Sequence, residues 1–153
     1  RASFQKELLK SYPGKTLVCL TVIMPGKVKR NLQSLVVAQA AVTALVSAFG
    51  DSMLKFRLRD LPTGYEAYLV TPLSNEEAKK ETCRIEDTHP LGRLFDLDVI
   101  DADGVPMSRE SVGLSPRKCL VCDNEARYCM RNRTHTMAEL TAKIDEMIES
   151  YVR

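Results

Sequence analysis

Residues 94–100, with the sequence LFDLDVI, alternate apolar and acidic side chains. Successive side chains of a β-strand point to opposite faces of its sheet, so this alternation predicts a strand with one buried face. The apolar side chains between the aspartates then anchor the strand in the core, and Asp96 and Asp98 share the opposite face. The strand is therefore expected to hold two neighbouring carboxylates on its face opposite the core.

These two aspartates are candidate magnesium ligands. On an extended strand their Cα atoms lie about 6.5 Å apart, and two carboxylates at this spacing can converge on one Mg²⁺ ion, which prefers oxygen ligands. Without a cation, two like charges side by side need a neighbouring arginine as counter-charge. The alternative is an exposed strand face with two ordinary aspartates.

Gly92 and Arg93 directly precede this strand. Glycine lets a backbone approach a ligand closely, and arginine can pair with phosphate oxygens in bidentate fashion. Phosphoryl transfer depends chiefly on positioning and on stabilisation of charge. The segment therefore suggests a phosphoryl-transfer site.

The patterns on either side predict a single α+β domain, 1–153, in which helices pack on a mostly antiparallel sheet. Further strands are predicted at 16–23, 53–61, 65–71 and 105–108. Helices are predicted at 4–12, at 31–49, from Ser74 to about Thr82, and from Thr136 towards the C-terminus.

Composition restricts the class of protein. Hydrophobic residues make up 44% and charged residues 27% of the 153 residues, which excludes a disordered tail, a collagen-like chain and a disulfide-dense mini-protein. The longest apolar stretch, 35–49, is shorter than a membrane span and predicts a buried helix. Five cysteines, an odd number, argue against a complete disulfide set. We therefore expect a cytoplasmic protein without a membrane partner.

Charge is segregated along the chain although the net charge is only +2. Residues 1–30 contain seven basic and one acidic residue, 84–104 contain two and six, and 109–133 contain six and three. Such blocks can build an anion-binding site around a bound cation, or they can simply be solvated faces. The pI of about 8.3 falls short of the strongly basic footprint of a nucleic-acid-binding domain, so no nucleic-acid partner is expected.

The segment 116–136 is rich in cysteine and lacks a periodic apolar pattern, so irregular structure is predicted here. Cys119, Cys122, Cys129 and His135 have the spacing C-x2-C-x6-C-x5-H, and three thiolates with one imidazole would complete a closed tetrahedral zinc site. Buried free thiols are the alternative. Redox chemistry of the first two cysteines is less favoured, because the motif does not follow a strand and open a helix.

His89 precedes Pro90, which places it in an extended segment leading to the acidic strand. It could contact a substrate or act as a base, and a plain loop histidine is the alternative.

Several motifs together resemble one enzyme family. The string HPLGRLFDLDV at 89–99 is accompanied by PG at 25–26, Lys29, SR at 108–109, RKCLVC at 117–122, Cys129 and His135. In this combination nearly the whole chain resembles the holo-citrate lyase synthase family, whose members are apo-citrate lyase phosphoribosyl-dephospho-CoA transferases.

The resemblance implies a nucleotidyltransferase. The family takes 2'-(5''-triphosphoribosyl)-3'-dephospho-CoA, attaches its phosphoribosyl-dephospho-CoA part to a serine of the acyl-carrier (gamma) subunit of citrate lyase, and releases diphosphate. The strand aspartates are similar to the magnesium-binding acidic pair of the wider nucleotidyltransferase group, so a nucleotidyltransferase-like fold is expected. That group usually has Gly-Ser or Gly-Gly before the pair, where this chain has Gly92-Arg93.

The predicted roles follow from this reaction. Asp96 and Asp98 hold Mg²⁺, Arg93 grips the departing diphosphate, and His89 is the candidate base. The candidate substrate-binding residues are Gly92, Lys29, Arg109 and Arg117. Lys27, Lys29 and Arg30 are also candidates for docking an acidic carrier protein or the CoA phosphates. A non-enzymatic, zinc-stabilised interaction module is the alternative function.

Overall fold

A four-stranded antiparallel sheet organises the structure, a computed structural model that describes residues 2–153. The helices and strands are α1 (Ala2–Ser11), β1 (Thr16–Val22), α2 (Leu32–Phe49), β2 (Lys55–Leu61), β3 (Gly64–Thr71), α3 (Asn75–Thr88), β4 (Phe95–Ile100), α4 (Ala126–Asn132) and α5 (Met137–Val152). Single 3-10 turns lie at Gly50–Ser52, Gly92–Leu94 and Glu110–Val112. The predicted single α+β domain is confirmed.

The strands lie in the order β2-β3-β1-β4, and each neighbouring pair is antiparallel. β4, the strand with the two aspartates, is therefore at the edge of the sheet, next to β1. Thr21 of β1 lies opposite Asp96, and Cys19 lies opposite Asp98. On its other side Thr21 lies opposite Glu66 of β3. Polar side chains of three strands thus share one face near the end of β1.

The two faces of the sheet are covered unequally. α2, α3 and α5 pack on one face, where Phe95, Leu97 and Val99 are almost completely buried in the main core. α1 covers a smaller apolar cluster on the other face. Burial of each large apolar side chain contributes about 1.5–3 kcal/mol, so the core face holds β4 firmly in place. Asp96 and Asp98 are half-buried on the face opposite the main core.

Three helices begin at the predicted residues. The side chains of Asn31, Ser74 and Thr136 each accept a hydrogen bond from the backbone N–H three positions on. The side chain at that later position accepts one in turn from the backbone N–H of the capping residue. Such caps contribute about 0.5–2 kcal/mol each. They fix where the chain enters α2, α3 and α5.

Two elements differ from the sequence prediction. α3 continues beyond its predicted end to Thr88, because Cys83 and Ile85 in the added turns are buried in the core. The strand predicted at 105–108 is wrong: Pro106 makes one isolated bridge to the end of β4. The two hydrogen bonds of this bridge, from the Asp101 N–H to Val105 and from the Met107 N–H to Val99, are its complete pairing with β4, so no further strand forms.

α2 is long and apolar enough, by length and composition alone, to cross a membrane. In the structure Val37, Ala41 and Leu45 on this helix are buried in the main core. α2 is therefore a core helix, as predicted for 35–49.

Candidate functional site

A cleft of about 810 Å³ lies beside the start of β4, where β1 ends. The candidate catalytic and substrate-binding residues Lys29, Arg93, Asp96 and Arg117 line it, together with three of the candidate zinc ligands, Cys119, Cys129 and His135. Much of the remaining wall is apolar and includes Met24, Pro25, Leu120, Met130 and Leu140. A cleft of this size with a few convergent polar groups is typical of a small-molecule site.

The two aspartates of β4 differ in their relation to this cleft. Asp96 lines it, and its Oδ2 lies 3.4 Å from the hydroxyl oxygen of Thr21, which donates a hydrogen bond. Asp98 lies two residues farther along the same face, away from the cleft end of the strand. The carboxylates therefore form one acidic strip that begins in the cleft.

Arg93 and Arg117 place two guanidinium groups in the cleft wall. Arg93 Nε donates to the backbone oxygen of Lys118 at 2.6 Å. Arg117 donates to the backbone oxygens of Phe95 at 2.7 Å and Gly92 at 2.9 Å. Burial, and next the charge of Arg117, lower the pKa of Arg93 to about 10. Because an anion would stabilise a cation perturbed in this way, the wall favours a negatively charged ligand.

Glu86, near the end of α3, is a site residue that the sequence did not reveal. Its almost completely buried carboxylate accepts a hydrogen bond at 2.9 Å from the backbone N–H of Leu97, the residue between the two aspartates. The same carboxylate lies 2.7 Å from Arg109 and 3.4 Å from Arg117. It therefore connects α3, β4 and the cleft wall in one ion network.

One sequence signal could have indicated this network. Glu86 and Asp87 lie in the last turn of α3, where the helix dipole disfavours acidic side chains and no basic residue compensates. Acidic residues in such a position need cations from elsewhere in the chain. Arg109 supplies one, because it lies 3.0 Å from Asp87 as well. Arg109 thus belongs to the network behind the cleft and is not among the residues that line it.

Gly92 is buried, and its close approach is to the backbone of α3. A Cβ atom at this position would lie far inside 3.0 Å of the backbone oxygen of Glu86. Only glycine therefore allows the chain to turn tightly from α3 into β4. The backbone oxygen of Gly92 also holds Arg117, so this packing contributes to the shape of the cleft.

His89 is not brought together with the aspartates. Its ring packs on Phe95 at 4.8 Å and on Tyr151 at 5.6 Å between centroids, and its Nδ1 accepts a hydrogen bond from the Leu91 N–H. Phe95 points to the face opposite Asp96, so the imidazole lies on the core side of the sheet. Burial lowers the pKa of His89 below its ordinary value.

The Cys/His segment forms a compact cluster. The ligand atoms of Cys119, Cys122, Cys129 and His135 all lie within 4.8 Å of one another. Cys122 Sγ lies 3.5 Å from Cys129 Sγ and 3.4 Å from His135 Nε2. Burial raises the pKa of Cys119, but hydrogen bonds from the backbone of Val121 and Cys122 outweigh it and lower the pKa to about 7. The cluster could bind a metal such as zinc.

A hairpin and two helices position these four side chains, although the sequence pattern predicts irregular structure for this segment. A tight hairpin, closed by the bridge between Lys118 and Glu125, carries Cys119 and Cys122. The helix α4 carries Cys129. His135 directly precedes Thr136, the capping residue of α5, and its Nδ1 lies 3.6 Å from Glu139, whose other oxygen completes the helix cap. A carboxylate beside the outer imidazole nitrogen is a common feature of metal-binding histidines.

Nearly the whole chain matches one known protein family. A family model described as apo-citrate lyase phosphoribosyl-dephospho-CoA transferase matches residues 1–151. The chain belongs to this family. The family membership and the transferase class predicted from the sequence motifs are thereby confirmed, and the non-enzymatic alternative is not favoured.

Individual relatives agree with the family match. A probable apo-citrate lyase phosphoribosyl-dephospho-CoA transferase of Streptococcus pyogenes serotype M18 is 36% identical over 99% of this chain and 81% of its own length. The corresponding protein of Vibrio cholerae serotype O1 is 42% identical over 99% of this chain and 86% of its own length. The protein CitXG of Haemophilus influenzae is 38% identical over 99% of this chain, which corresponds to 33% of that longer protein.

Proposed function

We propose that this protein attaches phosphoribosyl-dephospho-CoA to a serine of the citrate lyase acyl-carrier (gamma) subunit, and that the cleft at the start of β4 is the reaction site. The serine oxygen attacks the α-phosphorus of triphosphoribosyl-dephospho-CoA. The new serine–phosphorus bond forms as the bond to the β-phosphate oxygen breaks, and diphosphate leaves with that electron pair. The hydroxyl proton is lost to a base or to solvent.

One observation carries this proposal: a carboxylate and two arginines converge in one cleft with apolar walls. Arg93 and Arg117 supply positive charge where a polyphosphate would lie, and Asp96 supplies an oxygen ligand beside them. Bidentate contacts to phosphate oxygens are the usual task of such arginines. The apolar part of the wall suits the uncharged parts of a dephospho-CoA group.

The donor set on β4 fits magnesium. Asp96 and Asp98 offer oxygen atoms on one strand face, with the hydroxyl of Thr21 beside Asp96, and oxygen is the donor that Mg²⁺ selects. Bound there, Mg²⁺ would neutralise charge on the phosphate oxygens. The two aspartates are therefore the proposed magnesium ligands.

Arg93 and Arg117 are the proposed grip on the leaving diphosphate. The backbone contact of Arg93 uses its Nε, and Arg117 uses one N–H on each terminal nitrogen for backbone oxygens and also lies 3.4 Å from Glu86, so both guanidinium groups keep further N–H groups for a ligand. Lys29, whose ammonium group bonds the backbone oxygen of Met24 at the cleft wall, adds a third cation. Arg109 and Gly92 do not line the cleft but contact the residues that shape it: Arg109 pairs with Glu86, and the Gly92 oxygen holds Arg117.

Zinc is the proposed ion of the Cys/His cluster. Tetrahedral zinc with bonds of about 2.3 Å to sulfur separates its ligand atoms by about 3.8 Å. The separation of 3.5 Å between the sulfur atoms of Cys122 and Cys129 lies close to this value. Three thiolates also favour zinc over magnesium, which avoids sulfur.

The acyl-carrier subunit must approach the mouth of the cleft. Lys27 and Lys29 are exposed on the segment that follows β1 and are the proposed contacts with an acidic carrier surface. Arg30 is already paired with Asp60 at 2.6 Å and is less available. His89 lies on the core side of the sheet, away from the cleft. Its role as the base stays a prediction, and so does the cytoplasmic location.

The proposal is tested by the intact mass of purified carrier subunit after incubation with this protein, Mg²⁺ and triphosphoribosyl-dephospho-CoA. The wild-type protein should add the mass of one phosphoribosyl-dephospho-CoA group to the carrier. Asp96→Asn should abolish this addition while retaining the fold. Asp103→Asn, an exposed aspartate in a distant loop, is the matched control and should act like the wild type.

Co-elution of carrier and enzyme without a mass increase would instead support a binding role. Near-full activity of Asp96→Asn at saturating Mg²⁺ would remove this residue from the chemistry.

A further inference from the structure

The Cys/His cluster and the proposed polyphosphate site share one wall. Cys119, Cys129 and His135 line the same cleft as Arg93 and Asp96. A metal held by the cluster would therefore lie beside the ligand-binding surface.

Backbone contacts tie the cluster to the arginines of the cleft. Arg93 donates to the backbone oxygen of Lys118, which directly precedes Cys119. Arg117 begins the hairpin itself, and its backbone oxygen accepts a hydrogen bond from the Ala126 N–H at 2.8 Å. A displacement of the hairpin would therefore move the partner of Arg93 and the backbone of Arg117 together.

The segment that carries the ligands has little packing of its own. Among residues 116–136, all of which the structure describes, Cys129 is the one fully buried side chain. Apart from Leu120, which packs against the main core, the segment has little hydrophobic burial to hold it, and small segments of this kind are commonly ordered by a metal. The sheet and the helices α2 and α3 have a separate, extensive core.

We propose that zinc in the Cys119–Cys122–Cys129–His135 cluster orders the hairpin and α4 as a wall of the cleft, and that polyphosphate binding depends on this zinc. The inference rests on the proposed function for the identity of the ligand. Zinc here acts at a distance from the reacting atoms, by fixing where Arg93 and Arg117 present their guanidinium groups.

The experiment compares zinc-loaded protein with protein stripped by a chelator and then returned to chelator-free buffer with Mg²⁺. Metal content is measured by mass spectrometry, and binding of inorganic triphosphate by calorimetry. We expect one zinc per chain and triphosphate binding weakened by about tenfold or more after stripping, as for the loss of one charged hydrogen-bonding contact. Adding zinc back should restore the affinity.

Two variants and hydrogen exchange separate this effect from unfolding. Cys122→Ala should lose zinc and triphosphate affinity, whereas Cys19→Ala, a buried cysteine outside the cluster, should keep both. In stripped protein, amides of 117–135 should exchange faster while those of β1 and β3 stay protected.

Unchanged triphosphate affinity in stripped protein or in Cys122→Ala would overturn the inference. So would protein that contains no zinc as purified and binds none when it is added. The carrier-mass assay with zinc-loaded wild type distinguishes these outcomes from failure of the proposed function, because it tests the transfer without varying the metal.

Discussion

Replacing Glu86 by glutamine tests the ion network behind the cleft. Glutamine can still accept the hydrogen bond from Leu97, but it removes the negative charge that Arg109 contacts at 2.7 Å and Arg117 at 3.4 Å. The carboxylate side chain is 4% exposed and that of Arg109 is 10% exposed, so the small value typical of surface ion pairs does not apply.

The size of the effect follows from these contacts. Removing one partner of a fully buried pair costs about 3–5 kcal/mol, and a single hydrogen bond to a charged group contributes about 1.5–3 kcal/mol. Arg109 keeps its contact with Asp87, which reduces the loss. We therefore expect Glu86→Gln to lower the free energy of unfolding by about 2–4 kcal/mol.

Urea denaturation of both proteins measures this difference directly. Asp87→Asn is the matched control, because Asp87 is adjacent, contacts the same arginine and has a side chain that is 56% exposed. Its cost should stay below about 1 kcal/mol. Equal destabilisation by the two substitutions would refute the assignment of Glu86 as the centre of the network.

Two further predictions concern the turn between α3 and β4. Gly92→Ala should lower the free energy of unfolding by about 1–3 kcal/mol, because the new methyl group overlaps the backbone oxygen of Glu86; a urea midpoint equal to that of the wild type would contradict this packing. Because burial lowers the pKa of His89, its contribution to stability is present above the ordinary histidine pKa of about 6.5 and is lost as the pH falls towards its folded-state pKa. Proton NMR of the imidazole should give a midpoint below that of a free histidine, and a midpoint at or above it would show that the ring is not buried against Phe95.

The acidic strand was predictable because its signal is local. Alternation in LFDLDVI fixes which side chains share a face, and the observed burial of Phe95, Leu97 and Val99 follows from it. The capping residues Asn31 and Ser74 were readable for the same reason, since a cap involves residues only three positions apart.

The network around Glu86 was not predictable because it depends on distant pairing. Arg109 and Arg117 lie 23 and 31 positions from Glu86 in the sequence, and no local sequence pattern indicates that either pairs with it. The same limit applies to Gly92: the sequence shows a flexible residue before the strand, but only the path of α3 shows what its backbone approaches.

The Cys/His cluster lies between these cases. Its spacing indicates four ligands, and the structure brings their donor atoms within 4.8 Å. That the cluster borders the cleft could not be inferred, because this depends on where the hairpin, α4 and the start of α5 lie relative to β4.

The most direct test of the cleft is the affinity of triphosphoribosyl-dephospho-CoA, measured by calorimetry with Mg²⁺ for the wild type, Arg93→Gln and Arg84→Gln. Arg84 is an exposed arginine on α3, paired with Glu81 outside the cleft. We expect Arg93→Gln to weaken binding by about 10- to 100-fold, as for the loss of a charged phosphate contact, and Arg84→Gln to bind like the wild type. Equal affinities of all three proteins would contradict the assignment of this cleft as the polyphosphate site.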